Sequence, residues 1–193
     1  MNNHRRQFCK IGGIYLLGSW ITGNPLAFAT QAPTSIKEIL ENDSEETLLA
    51  RMIFGETGGC TLLEKVYAGK TPFNRLHDGR TYTGKGSLKK VLLHPEQYSC
   101  FDSTEANRKN LRRILDLPKK LLDSSKELKD WKENLIIAKG LIRGDWGNYN
   151  FGQTHFYKKH LVPKLKEGKL KIDPKRLEPI YSGGFKHQFY KEI

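Results

Sequence analysis

Cysteine, methionine and long apolar runs are all scarce in this chain of 193 residues. Three cysteines are too few for a disulfide-built scaffold, and no two of them have the Cys-x-x-Cys spacing of a structural zinc site. Acidic residues are also in the minority. With 21 Asp and Glu against 33 Lys and Arg the formal charge is +12, which calls for an anionic partner: nucleic acid, membrane surface or wall polymer. What is present suffices for one folded domain. Hydrophobic residues at 37% and aromatics at 10% can build a core and exclude disorder throughout. The charged fraction of 28% and a mean hydropathy of -0.60 fit a soluble protein more than an integral membrane one.

The first 29 residues read as an export signal, so their charge is set aside. Arg5 and Arg6 form a basic start, Ile11 to Ile21 a short apolar stretch, and Ala27-Phe28-Ala29 a small-x-small cleavage site. The run His4-Arg5-Arg6-Gln7-Phe8-Cys9-Lys10 resembles a twin-arginine export motif, with His4 and Cys9 departing from it. An uncleaved anchor is the alternative, but the strongly apolar part is shorter than the roughly 20 residues a spanning helix needs, and Pro25 closes it. Removing the signal takes away three basic residues and no acidic one, leaving about +9. Cys60 and Cys100 then remain in an exported protein, where a disulfide between them and two separate buried thiols are both open.

Thr30 to Ser35 is a polar tether, with organised structure expected near Ile36; in domain terms residues 30–44 are assigned to the tether and 45–193 to the catalytic domain. Leu48, Leu49, Met52 and Ile53 recur at three-to-four spacing and predict a helix from Glu45 ending between Gly55 and Gly59. Thr61 to Tyr67 continues a helical pattern that Pro72 is expected to break or kink before Asn74-Arg75. Ser87 is a candidate N-cap for a short helix through Leu88, Val91 and Leu92, stopped before Pro95. Thr104 to Leu117 and Lys126 to Arg143 read as helices, with stripes that include Leu111, Ile114, Leu115 and Trp131, Leu135, Ile142. Gln153 to Tyr157 and Phe185 to Tyr190 are short aromatic segments suited to strands or loops. The expected class is mainly α (α+β), a single domain with a small β or loop element.

Glu56 is the most informative residue. It falls three and four positions after Ile53 and Met52, which puts its carboxyl at the end of the apolar stripe. Partial burial and the negative end of the helix dipole would both favour the protonated acid, the form that can protonate a leaving glycosidic oxygen. Spacing alone leaves open an ordinary solvated residue at a helix end.

The neighbouring residues extend this reading. Ala50-Arg51-Met52-Ile53-Phe54-Gly55-Glu56, Asn74-Arg75, Ser87 to Leu92 running into Gln97-Tyr98-Ser99-Cys100-Phe101, Gly152-Gln153-Thr154-His155-Phe156-Tyr157 and His187-Gln188-Phe189-Tyr190 resemble, in order, motifs of the cell-wall hydrolase family that includes the spore-cortex-lytic enzymes. The resemblance implies a lysozyme-like domain that cleaves peptidoglycan glycan strands with Glu56 as the catalytic acid, related to lytic transglycosylases and needing no metal or cofactor. That route needs only one Glu, because an intramolecular hydroxyl replaces the second carboxylate or water. The resemblance also moves Gln97, Tyr98, Thr154, His155 and Tyr157 from structural roles toward a sugar cleft. Asp102 is the candidate second carboxylate, and a helix-capping role is preferred for it.

Departures from the family pattern limit the detail. Thr57-Gly58-Gly59-Cys60 stands where the family has Ala-Arg-Gly-Glu, so the second acidic residue is missing there, and Lys70-Thr71-Pro72 interrupts a normally unbroken helix. His155 and His160 lack further ligands at zinc spacing. The basic run Arg108, Lys109, Arg112, Arg113, Lys119, Lys120 reads as a solvated face or a dock for an anionic polymer. The expected protein is a monomeric, exported peptidoglycan-cleaving enzyme of the periplasm or wall, touching the envelope peripherally and not nucleic acid. The alternatives are an amidase cutting the muramoyl to peptide bond, for which no zinc ligands are evident, and a non-catalytic wall-binding protein of the same fold.

Overall fold

The structure, a computed structural model, describes residues 35–78, 86–95, 97–102, 104–117, 126–147, 152–166, 173–180 and 184–193. The expected export signal and residues 30–34 of the tether lie outside the described residues. None of the described helices is long and apolar enough to cross a membrane.

The fold is mainly helical with a small antiparallel sheet, as the periodicity predicts. Organised structure starts at Ile36, as expected, with helix α1 (Ile36–Asn42), whose Leu40 enters the core, formed by residues that the domain division gave to the tether. Helix α2 (Glu45–Thr57) is capped by Ser44, whose Oγ accepts from the Thr47 amide at 3.1 Å, with Glu45 and Glu46 in its first turn facing the positive end of the dipole. Its apolar residues Leu48 to Phe54 are almost all buried, because neighbours cover it on most sides. Even Arg51 is enclosed, held by Asp43 at 2.6 Å and by the Ile114 carbonyl at 2.5 Å.

Helix α3 (Leu62–Asp78) corrects the expected break, since it runs through Pro72 without interruption. A proline inside a helix costs about 3 kcal/mol, so tertiary contacts must offset it. Val66, Ala68 and Thr71 are fully buried, the Tyr67 carbonyl accepts from Gln153 Nε2 at 3.0 Å, and Asn74 and Arg75, beyond the proline, anchor to the distant backbone.

Helix α4 (Leu88–Leu92) starts at Ser87, whose Oγ accepts from the Lys90 amide, and ends before Pro95, as the sequence indicates. Helices α5 (Glu105–Asp116) and α6 (Lys126–Arg143) also fall where expected. Leu111, Ile114 and Leu115 are buried on α5, and Trp131 on α6 meets Phe54 edge-on at 6.3 Å. Ile142 is a correction: it is 36% exposed, while Leu141 fills the core, because one residue turns a helix face by about 100°.

Strand β1 (His155–Lys158) pairs antiparallel with β3 (His187–Glu192), His155 opposite Tyr190. A third strand, β2 (Leu177–Pro179), adds to the other edge of β3 and was not foreseen, being three residues long and ending in proline. The helix α7 (Val162–Lys166) follows β1 after one 3-10 turn. Phe185 and Phe189 lie 5.6 Å from Tyr67 by ring centroid, and this aromatic cluster seats the sheet on α3.

Close helix packing gives a direct test. A Cβ on Gly69 of α3 would lie 2.5 Å from Leu141 Cδ1 and 2.9 Å from Ile53 Cδ1, so Gly69→Ala overpacks the junction of α2, α3 and α6. The expected cost is about 1–3 kcal/mol, read as a lowered thermal midpoint by circular dichroism. An unchanged midpoint would mean the three helices do not approach this closely.

Candidate functional site

Glu56 sits in the last turn of α2, half-buried, where the chain leaves the core. Its carboxylate accepts from the Cys100 amide at 2.8 Å and from Ser99 Oγ at 3.1 Å, both in the 3-10 turn Ser99–Phe101. That turn can come so close because position 55 is glycine: a Cβ there would lie 2.4 Å from Cys100 Cβ. The site is therefore built by the packing of one turn against a helix end.

A cavity of about 770 Å³ opens beside Glu56, lined also by Cys60, Arg113, Lys158, Lys159, His160 and Lys186. Its wall is strongly cationic. Arg113 is oriented by Glu127 at 2.9 Å and stacks over Phe54 at 5.1 Å. Lys186 donates to the Gly59 carbonyl at 2.9 Å. Of the basic run on α5, Arg113 faces this cavity, while Lys109 and Arg112 are exposed; Lys119 and Lys120 lie outside the described residues.

The residues expected to bind sugar are placed differently. Gln97, Tyr98, Thr154, His155 and Tyr157 are not among the residues that line this cavity; Tyr98, Thr154 and His155 are buried. Arg75, buried on α3, donates Nε–H to the Thr154 carbonyl at 2.7 Å, reaches the Gln97 carbonyl at 3.5 Å and lies over the Tyr98 ring at 4.9 Å. Burial pushes the Tyr98 phenol up to about 12. Thr154 accepts from the Glu192 amide at 3.0 Å and its hydroxyl meets His155 Nδ1 at 3.0 Å. Tyr157 packs against Tyr190 across the sheet. The resemblance points these positions to a cleft; in the structure Thr154 and His155 hold framework contacts, and the buried Tyr98 hydroxyl makes no hydrogen bond among the described residues.

Asp102 forms a local turn just before α5 and does not cap the helix, whose N-cap is Thr104. Its Oδ1 accepts from the Thr104 amide at 3.0 Å, at the start of α5.

Cys60 and Cys100 are both free thiols, which corrects the possible disulfide. They turn to different partners: Cys100 Sγ packs at 4.0 Å from the Met52 carbonyl under Gly55, whereas Cys60 Sγ lies 4.0 Å from His187 Nδ1. Burial, then the Glu64 carboxylate, push the Cys60 thiol up to about 11.

Glu64 is a candidate site residue that spacing did not single out. Buried in the first turn of α3, its Oε1 accepts from the His187 amide at 2.9 Å and meets His187 Nδ1 at 2.6 Å. The one available signal was the four-residue spacing of Cys60 and Glu64 around a helix start; His187 comes from 123 residues further on.

These elements define a small α+β domain with a carboxylate at a helix end facing a cationic cavity. No family model, no curated protein and no solved structure matches the chain.

The buried Arg75 clamp is testable by a substitution that keeps its charge. Lysine has no planar fork to hold two carbonyls and stack on Tyr98, so Arg75→Lys should cost about 1.5–3 kcal/mol. Urea unfolding would read this as a lower midpoint at unchanged slope; an unaltered midpoint would show that the clamp holds nothing.

Proposed function

We propose that this chain cleaves the glycan strand of peptidoglycan between N-acetylmuramic acid and N-acetylglucosamine, with Glu56 acting first as acid and then as base. The observation that carries this reading is convergence. Segments near residues 56, 75, 98, 154 and 187, which resemble motifs of one cell-wall hydrolase family, are tied together by side-chain to backbone bonds: Glu56 to Cys100, Arg75 to Gln97 and Thr154, Asn74 to the Gln153 carbonyl at 2.7 Å, and Glu64 to His187.

In this mechanism the Glu56 carboxylic acid gives its proton to the glycosidic oxygen as the bond to the anomeric carbon breaks. The 6-hydroxyl of the muramic residue attacks that carbon, and the Glu56 carboxylate, now unprotonated, takes the hydroxyl proton. The product is a 1,6-anhydro end, and Glu56 returns to its starting state without a second carboxylate. Ser99 and the Cys100 amide hold the Glu56 side chain in one rotamer. Arg113, Lys158, Lys159 and Lys186 give the cavity a positive potential that favours the lactyl and stem-peptide carboxylates of the polymer. The same charge, with the expected export signal, fits a protein working among the anionic polymers of the periplasm or wall.

Digestion of purified peptidoglycan followed by mass spectrometry tests the reading. Wild type is expected to release anhydro-muropeptides, and Glu56→Gln to lose at least about 100-fold of that activity while keeping its circular dichroism spectrum. Reducing ends would point to hydrolysis instead, and free stem peptides would replace glycan cleavage with the amidase reading. Ser99→Ala removes one hydrogen bond from an exposed hydroxyl and leaves the Cys100 amide in place, so activity should fall by no more than about tenfold, the worth of one ordinary hydrogen bond. A loss as deep as that of Glu56→Gln would assign Ser99 a direct part in the chemistry.

A further inference from the structure

Cys60, Glu64 and His187 come together at the edge of the Glu56 cavity, and we propose that they bind a divalent transition-metal ion of the zinc type. One ligand atom from each, Sγ, a carboxylate oxygen and a ring nitrogen, lies within 4.8 Å of the other two. Tetrahedral zinc bonds of about 2.3 Å to sulfur and about 2.0–2.1 Å to nitrogen and oxygen place ligand atoms about 3.3–3.6 Å apart. The observed separations, 4.0 Å from Cys60 Sγ to His187 Nδ1 and 2.6 Å from Glu64 Oε1 to the same nitrogen, bracket that edge. Side-chain adjustments below about 1 Å would seat an ion.

Two features distinguish this cluster from a nucleophilic Cys-His-Glu triad. A triad uses both ring nitrogens, one toward the nucleophile and the other toward the orienting acid; here Cys60 and Glu64 approach the same nitrogen, Nδ1. Convergence of a thiol and a carboxylate on one imidazole atom is the arrangement that a single ion between them satisfies. The two lysines whose charge acts on Cys60 hold other partners. Lys65 is ion-paired with Asp130 and Glu133, and Lys186 donates to the Gly59 carbonyl. A thiolate and a carboxylate together match the charge of one divalent cation.

The donor set selects among metals. One sulfur and one imidazole favour zinc, cobalt or ferrous iron over magnesium or calcium, which prefer oxygen ligands. Glu64 and His187 are buried while Cys60 is partly open, and Cys60 and His187 line the cavity, so the fourth position is reached by water from the Glu56 side. The ion would join the turn after α2, the start of α3 and β3, three segments far apart in sequence. This proposal does not depend on glycan cleavage, because it rests on ligand geometry alone.

Metal content and cobalt spectroscopy of the purified full chain test it. Wild type, stripped with a chelator and given zinc, is expected to retain close to one equivalent after gel filtration, and cobalt(II) in its place to give a thiolate charge-transfer band in the near ultraviolet with tetrahedral visible bands. Magnesium and calcium should not compete. Cys60→Ser should lose the near-ultraviolet band and Glu64→Gln most of the bound zinc, while Cys100→Ser keeps both. Wild type that retains no zinc and shows no such band overturns the proposal, whatever the variants do. Retention and a band that survive in Cys60→Ser overturn the ligand assignment.

Discussion

Buried backbone carbonyls that have left regular structure need donors, and in this protein Asn74 and Arg75 provide them. Gln153 and Thr154 approach β1 without helix partners for their carbonyl oxygens, and an unsatisfied buried carbonyl costs on the order of 1–3 kcal/mol. Asn74 Nδ2 meets the first and Arg75 Nε the second, each at 2.7 Å. The same guanidinium covers Tyr98, next to the turn that holds Glu56. One turn of α3 thus couples the sheet, the 97–101 segment and the end of α2. The need for this anchor also explains why the helix continues past Pro72: ending it there would strand the donors.

The two carboxylates near the cavity occupy contrasting surroundings. Glu56 is half-buried and bonded to a hydroxyl and an amide of an adjacent turn, with a cationic wall across the cavity. Glu64 is buried and committed to His187 and the neighbouring Cys60. The first is open to the cavity and, in the proposed function, meets the polymer. The second is enclosed with His187 and Cys60, the three groups of the metal proposal above. The cationic wall beside Glu56 suits an anionic partner there, which gives the basic composition a local meaning.

Much of the helical framework was legible because it depends on local rules. Ser44 and Ser87 cap helices, the apolar spacing of α2 buries one residue after another, and the boundaries of α5 and α6 fall beside turn residues. The errors came where distant parts of the chain decide the outcome. Pro72 is a strong local signal overridden by packing, β2 exists only because β3 offers it an edge, and Ile142 loses its place in the core to Leu141 by a rotation no stripe count resolves. At the site, Glu56 stood out by its position at the end of an apolar face. Gln97, Tyr98, Thr154, His155 and Tyr157 were equally visible as polar and aromatic residues, yet sequence cannot say whether such a side chain faces a cavity or a carbonyl.

The sequence by itself determined the α+β class, the position of most helices and a carboxylate at a helix end, since periodicity, caps and charge act within a few residues. Tertiary structure alone decided that Cys60 turns to His187 and not to Cys100, that the expected sugar ligands stay outside the lining of the Glu56 cavity, and that Glu64 approaches His187. Those outcomes hang on contacts between residues tens to more than a hundred positions apart. Directional groups such as a thiol, an imidazole and a carboxylate acquire their chemistry from neighbours that only the folded chain supplies.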